Sequence, residues 1–320
     1  MILSVSRRTD IPNYYSDWFF NRIKEGYLYV KNPMNAHQIS RIDLSPEIVD
    51  CIVFWTKNPA AMLDRLDELK EYKYYFQFTL TGYGRDVEAG LPDKNEVLIP
   101  IFQKLSDMIG KGKVIWRYDP ILINDKYTVE YHIRAFTKIA EALKDYTTKV
   151  IISFVDLYAK TQRNTKGLNI KDISNEEMRS IAKQLANIAH ANGLEIESCA
   201  ELIDLEDVGV RHGCCIDKCL IEQIIGCPLK GGKDKNQREE CGCFESVEVG
   251  TYNTCKNGCR YCYANYNEDQ VISQSHLYDP NSPILCSTID EKSGDKITVR
   301  KVESLKDNQI SMFSSALENK

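Results

Sequence analysis

Over its first 200 residues the chain repeats one unit: a short apolar, β-rich run ending in polar residues, then a helical pattern. Six such runs stand out, at Ile2–Val5, Asp50–Phe54, Tyr74–Phe78, Val114–Trp116, Val150–Phe154 and Leu194–Ile196. Strands that alternate with helices read as a parallel sheet with right-handed crossovers. The intervening segments carry helix signals. Asn58-Pro59 places an N-cap and a first-position proline ahead of Ala60–Leu69. Lys94–Ile109 has a helical apolar period and ends at Gly110. Ser174 and Glu177 have the spacing of a capping box ahead of a helix running to Ala191, and Tyr127–Leu143 has the same character.

The expected fold is α/β. Six units, rather than the eight of a closed barrel, predict a partial (β/α)6, TIM-like barrel over residues 1–200, open on one side. Residues 201–320 form a cysteine-rich cluster-binding region, with a mobile tail from Asp307. In a barrel the polar strand ends converge on one face. Here they supply Arg7, Arg8, Asp10, Lys57, Asn58, Arg117, Asp119, Asp156 and Glu197. The bland reading of these groups is a salt-bridged rim. A dinucleotide-binding domain is disfavoured, because the turn Ser6-Arg7-Arg8-Thr9-Asp10 after the first run has no glycine.

The chain has a formal charge of −5, without the Lys/Arg excess of a nucleic-acid binder. No run approaches the roughly 18 apolar residues of a membrane helix, and no signal peptide is evident. A cytoplasmic protein without a membrane partner is the expectation.

Cysteine sets the rest of the chain apart. Of 12 cysteines, only Cys51 precedes Cys199. Clustered thiols in a chain too long for a small disulfide scaffold point to metal. Cys255-Lys256-Asn257-Gly258-Cys259-Arg260-Tyr261-Cys262 has the spacing C-x3-C-x2-C. Such a loop wraps three thiolates round one face of an iron–sulfur cube, and Gly258 lets it turn. Three ligands leave one metal position open, the mark of a reactive site, unless a spare cysteine closes it. A second group comprises Cys199, Cys214, Cys215, Cys219, Cys227, Cys241 and Cys243. Cys241-Gly242-Cys243 is too tight for common disulfide geometry but suits two ligands on one metal. The expected set is Cys199, Cys215, Cys241 and Cys243, with the other three in reserve. It would hold an auxiliary [4Fe–4S] cluster or a structural zinc. Cys51, inside an apolar run, reads as a small hydrophobe.

The C-x3-C-x-aromatic-C loop resembles the signature of radical S-adenosylmethionine enzymes. Segments such as Ser6-Arg7-Arg8-Thr9-Asp10-Ile11-Pro12, Phe54-Trp55-Thr56-Lys57-Asn58-Pro59, Trp116-Arg117-Tyr118-Asp119-Pro120, Asp234-Lys235-Asn236-Gln237-Arg238 and Asn253-Thr254-Cys255 resemble the bacterial family of domain of unknown function 1848, along nearly the whole chain. The first resemblance implies a [4Fe–4S] cluster on Cys255, Cys259 and Cys262, with Tyr261 near the adenine of S-adenosylmethionine. The free iron would chelate the methionine part, and electron transfer would yield a 5′-deoxyadenosyl radical that abstracts hydrogen from a substrate. Asp119, Asp156 and Glu197 are candidates for the amino group of the methionine part. Arg7, Arg8 and Arg117 are candidates for its carboxylate, which their planar fork suits. Arg7, Asp119 and Lys57 are the candidate catalytic groups. In that family the loop follows the first barrel strand. Here it follows the sixth, and so would reach the mouth from the C-terminal side of the chain.

Three functions follow as expectations. One is a radical S-adenosylmethionine enzyme, served by a reductant such as ferredoxin or flavodoxin and acting on an unidentified substrate. Another is an iron–sulfur electron-transfer protein that does not bind S-adenosylmethionine. The third is a nucleic-acid-binding or repair module, resting on fold analogy and the basic loop Lys230–Arg238.

Overall fold

The computed structural model describes residues 1–156 and 159–307, so the expected tail, apart from Asp307, lies outside the described residues. Its strands are β1 (Ile2–Val5), β2 (Tyr27–Asn32), β3 (Asn35–Asp43), β4 (Cys51–Thr56), β5 (Tyr74–Thr79), β6 (Val114–Ile121), β7 (Lys149–Phe154), β8 (Glu195–Cys199), β9 (Arg211–Gly213), β10 (Val247–Glu248) and β11 (Lys296–Val299). Eight of them form one sheet in the order β10-β1-β4-β5-β6-β7-β8-β9. Every neighbouring pair in it is parallel. This is an α/β fold with a barrel-like parallel sheet.

The six apolar runs of the sequence are the six inner strands of this sheet. Two short edge strands, β9 and β10, come from the cysteine-rich part and raise the number to eight. A hairpin of β2 and β3, joined by β11, makes a separate three-stranded sheet that the sequence did not announce.

Because strand side chains alternate, the large sheet has two buried faces. Leu3, Val5, Ile52, Phe54, Phe76, Phe78, Trp116 and Ile152 pack outward against the helices. Ile2, Cys51, Val53, Tyr75, Ile115 and Ile151 point the other way and pack against Cys215, Ile216, Ile221, Leu229 and Phe244. The cysteine-rich segment therefore fills the concave side of the sheet. Tyr75 and Gln77 anchor it there, donating to the Cys215 carbonyl at 2.8 and 2.7 Å.

Three of the four expected helices follow their sequence signals. The fourth, Ala60–Leu69, breaks into a single α-turn, Ala60–Leu63, and a 3-10 turn, Leu66–Leu69, and Pro59 rather than Asn58 stands at its N-cap. Ser174 and Glu177 make a capping box at the head of Asn175–Ala191. Thr128 caps Val129–Leu143, whose apolar face buries Phe136, Ile139 and Leu143. The Lys94–Ile109 segment opens with a wider π-type turn, Lys94–Leu98, before the α-helix Ile99–Ile109.

His132 on Val129–Leu143 is fully buried, 2.8 Å from the Tyr118 hydroxyl through Nδ1 and 2.9 Å from the Leu122 carbonyl through Nε2. The carbonyl requires Nε2 to donate, so Nδ1 accepts from Tyr118. Burial pushes the imidazole pKa down to about 4. The unfolded chain then takes up a proton near the ordinary histidine value while the folded one does not. Stability should fall as the pH drops through that value and level off below about 4, a loss of about 3 kcal/mol. Urea unfolding at stepped pH should show this drop, and His132→Gln should flatten it.

Candidate functional site

Of the fifteen residues given candidate catalytic, cofactor-binding or metal-ligand roles, the reserve cysteines aside, fourteen line one cavity of about 460 Å³ at the C-terminal ends of the strands. They are Arg7, Arg8, Lys57, Arg117, Asp119, Asp156, Tyr261, Cys199, Cys215, Cys241, Cys243, Cys255, Cys259 and Cys262. Glu197 is the exception. It shares the inner face with Cys199 but lies two residues deeper, below the cavity. There it pairs with Lys149 at 2.8 Å and Arg211 at 3.3 Å, which makes it a buried structural ion-pair partner.

Strand β10 brings the three-cysteine loop to this cavity. It lies beside β1, where Glu248 accepts from Ser4 Oγ at 2.9 Å, from the Arg7 backbone N–H at 3.1 Å, and from the Ser6 hydroxyl. The loop then docks on strand ends far away in sequence. Asn257 donates to Asp10 Oδ2 at 2.9 Å and accepts from Tyr14 at 2.9 Å and Asn13 at 3.2 Å. Tyr15 donates to the Thr254 carbonyl at 2.6 Å. Glu88 and Cys259 form a β-bridge, flanked by Arg260 N–H to the Val87 carbonyl at 2.9 Å and Gly90 N–H to the Asn257 carbonyl at 3.0 Å. Asp10, Asn257 and Glu88 are thus positioning residues. Asp10 was among the strand-end groups expected at this face, whereas Asn257 and Glu88 were assigned no role there. Asn257 sat inside the motif as apparent filler, and Glu88 lay in a loop with no local signal.

Behind the loop, Glu88 is buried between two cations. Lys57 Nζ lies 2.8 Å from Glu88 Oε1 and donates to the Tyr261 hydroxyl at 2.8 Å, while Lys94 and Tyr261 also bond the carboxylate. Burial opposes ionisation of Glu88, but Lys57 and Lys94 outweigh it and hold the carboxyl down at about 2. Burial pushes Lys94 down despite Glu88, whereas Lys57 is raised by its acidic neighbours against its own burial. Lys57 therefore reaches the site as a paired ammonium that fixes Tyr261. Asp119 is likewise engaged, with Arg117 and the Ser153 hydroxyl, and Asp156 pairs with Arg238 at 2.6 Å.

The second cysteine group occupies another part of the cavity wall. Cys199 and Cys215 sulfurs lie 2.9 Å apart. Cys241 and Cys243 line the same wall. Arg117 Nη1 is 2.7 Å from the Cys215 sulfur, and the Ile216 N–H is 3.4 Å from that of Cys243. Hydrogen bonds from Cys215 and Cys241 hold Cys243 down as the thiolate. Cys215 stays a thiol despite Arg117, because it serves both Cys199 and Cys243. The Arg7 and Arg117 guanidinium carbons lie 5.2 and 5.4 Å from the Trp55 ring centre. The reserves Cys214, Cys219 and Cys227 stay outside the cavity. Every described cysteine is free of disulfide bonds. Among the described residues, no three His, Cys, Asp or Glu side chains form a group that could hold a single metal ion.

Two polar atoms in the cavity's lining residues are buried without a partner: Arg7 Nη2 and Thr9 Oγ1, both in the turn after β1. Buried donors are rarely left unpaired, so these two atoms have hydrogen-bonding capacity to spare on the cavity side.

The family model described as Domain of unknown function (DUF1848) matches residues 2–264. The chain belongs to this family. The DUF1848 match runs from β1 to just past Cys262, so it takes in the sheet and both cysteine groups and leaves out β11. No curated protein and no solved structure matches the chain. No helix among the described residues of this DUF1848 protein is long and apolar enough to cross a membrane.

Proposed function

We propose that this protein is an iron–sulfur enzyme of the radical S-adenosylmethionine kind, with a [4Fe–4S] cluster on Cys255, Cys259 and Cys262. The observation that carries the reading is the position of β10. In space β10 is the strand before β1, and the three-cysteine loop leaves from its end. Taken in spatial order, β10, β1, β4, β5, β6 and β7 make a six-stranded partial barrel whose cluster loop follows the first strand. The chain is then a circular rearrangement of the radical S-adenosylmethionine barrel. The loop comes after the sixth run in sequence but after the first in the sheet.

The wall fits the cofactor. Arg7 Nη2 offers an unpaired charged donor to a carboxylate, and Thr9 Oγ1 offers a hydroxyl to an amino group. Both follow β1, the second strand in space. Tyr261, clamped by Lys57 and Glu88, places an aromatic side chain in the wall beside the cluster loop. When bound, the cluster supplies the single electron that cleaves the sulfonium and so starts hydrogen abstraction from the substrate.

The test uses the anaerobically reconstituted chain with dithionite and S-adenosylmethionine. It should release 5′-deoxyadenosine, and Cys259→Ala should release none. If the intact protein releases none, and its reduced cluster's electron paramagnetic resonance signal ignores S-adenosylmethionine, the proposal fails. An external reductant such as ferredoxin or flavodoxin would take the place of dithionite in the cell.

A further inference from the structure

The geometry points to a second metal site on this chain: Cys199, Cys215, Cys241 and Cys243 hold a [4Fe–4S] cluster in which every iron has a thiolate ligand. The inference goes beyond the reading above and stands without it.

These four residues come from three separated segments. Cys199 ends β8, Cys215 follows β9, and Cys241 and Cys243 lie on the return toward β10. The fold nonetheless brings all four to one cavity wall, with the Cys199 and Cys215 sulfurs 2.9 Å apart. Three are buried, at 3% exposure for Cys215, 7% for Cys241 and 2% for Cys243. Four thiols assembled inside a protein, unbonded to one another as disulfides, have metal ligation as their ordinary use. The surroundings suit an anionic centre. Arg117, itself 5% exposed, aims Nη1 at the Cys215 sulfur from 2.7 Å, and the Ile216 N–H points at that of Cys243. Donors directed at sulfur stabilise thiolate-ligated iron–sulfur clusters.

The local backbone needs such a centre. Between the helix Lys218–Ile225 and β10 there is no regular strand or helix. Yet this stretch seats Phe244, Cys241 and Cys243 inside the sheet's concave face. Metal ligation can order a segment that lacks enough core of its own.

A four-thiolate set also suits a tetrahedral zinc, at about 2.3 Å for each bond. Acid-labile sulfide separates the two, because only the cluster contains it.

The experiment is metal and acid-labile sulfide analysis of the full chain, purified anaerobically and reconstituted with iron and sulfide. The wild type should hold about eight irons, and Cys255→Ala/Cys259→Ala/Cys262→Ala about four, with a cluster spectrum. Cys241→Ala/Cys243→Ala should lose the other four. If the triple variant holds no iron while the wild type holds four, the second site is empty and the inference falls, leaving the first reading intact. Four irons in both would instead place the sole cluster here and sink the first reading. Zinc in the triple variant, without sulfide, overturns the assignment. The wild type alone gives a check independent of folding. Its reduced form should carry two paramagnetic signals, and a single signal at full iron loading counts against two sites.

Discussion

With the proposed cluster on the three-cysteine loop, Gly90→Ala should strip its iron while leaving the sheet folded. A Cβ at residue 90 would press on the Lys256 carbonyl oxygen closer than real Cβ atoms come to any neighbour, and would lie 3.0 Å from the Asn257 carbonyl carbon. Both are backbone atoms of the cysteine loop, so no rotamer change relieves the clash. The loop must lift, and the Gly90–Asn257 hydrogen bond and the Glu88–Cys259 bridge go with it. Overpacking of this kind costs about 1–3 kcal/mol, which corresponds to roughly 5- to 150-fold weaker retention of the cluster. Iron released to a chelator over time measures the effect. Gly112→Ala is the control, because its Cβ would meet nothing within 4 Å. Equal iron retention in the two variants would contradict the docking scheme.

Asp10→Ala should cost more, and Asp10→Asn should not rescue it. The Asp10 carboxylate is 4% exposed and accepts four hydrogen bonds. Thr56 Oγ1 at 2.7 Å and the Asn13 N–H at 3.1 Å reach one oxygen. The Lys57 N–H at 2.8 Å and Asn257 Nδ2 at 2.9 Å reach the other. Alanine leaves these donors stranded, at about 1–3 kcal/mol for each one that water cannot reach. Asparagine keeps one acceptor oxygen but turns an NH2 group toward two donors. A loss of at least about 3 kcal/mol is expected for either variant, with the cluster loop detached. Urea unfolding curves provide the measurement. Near-wild-type stability of Asp10→Asn would show that the pocket repacks and that the carboxylate is dispensable.

The inner strands were legible because each is a short apolar run between polar ends, and burial on both faces keeps such runs continuous. The hairpin of β2 and β3 escaped notice because half of it faces solvent. Asn35–Gln38 is exposed, so no apolar alternation marks it. β9 and β10, at three and two residues, are too short to leave a periodic trace. At the site, the cysteines and strand-end charges were visible by type and spacing. Glu88 was not, because its meaning comes from Lys57 and Tyr261, 31 and 173 residues away. Glu197 misled for a related reason. Its position at a strand end was read correctly, but not its depth, and two residues along a strand separate the cavity wall from the packed interior beneath.

Because β10 comes late in the chain yet sits beside β1, manufacture of this protein has a built-in order. Domains emerge from the ribosome N-terminal part first. Strands β1 and β4 to β8, with Arg7, Lys57 and Arg117 at their ends, are all made before Val247 appears. The nascent chain at that moment is a vessel without its stopper. Asp10 stands ready to receive Asn257, and the thiols of Cys255, Cys259 and Cys262 are still on a free thread. On the proposed reading, the cluster is taken up on that thread before the segment closes the vessel.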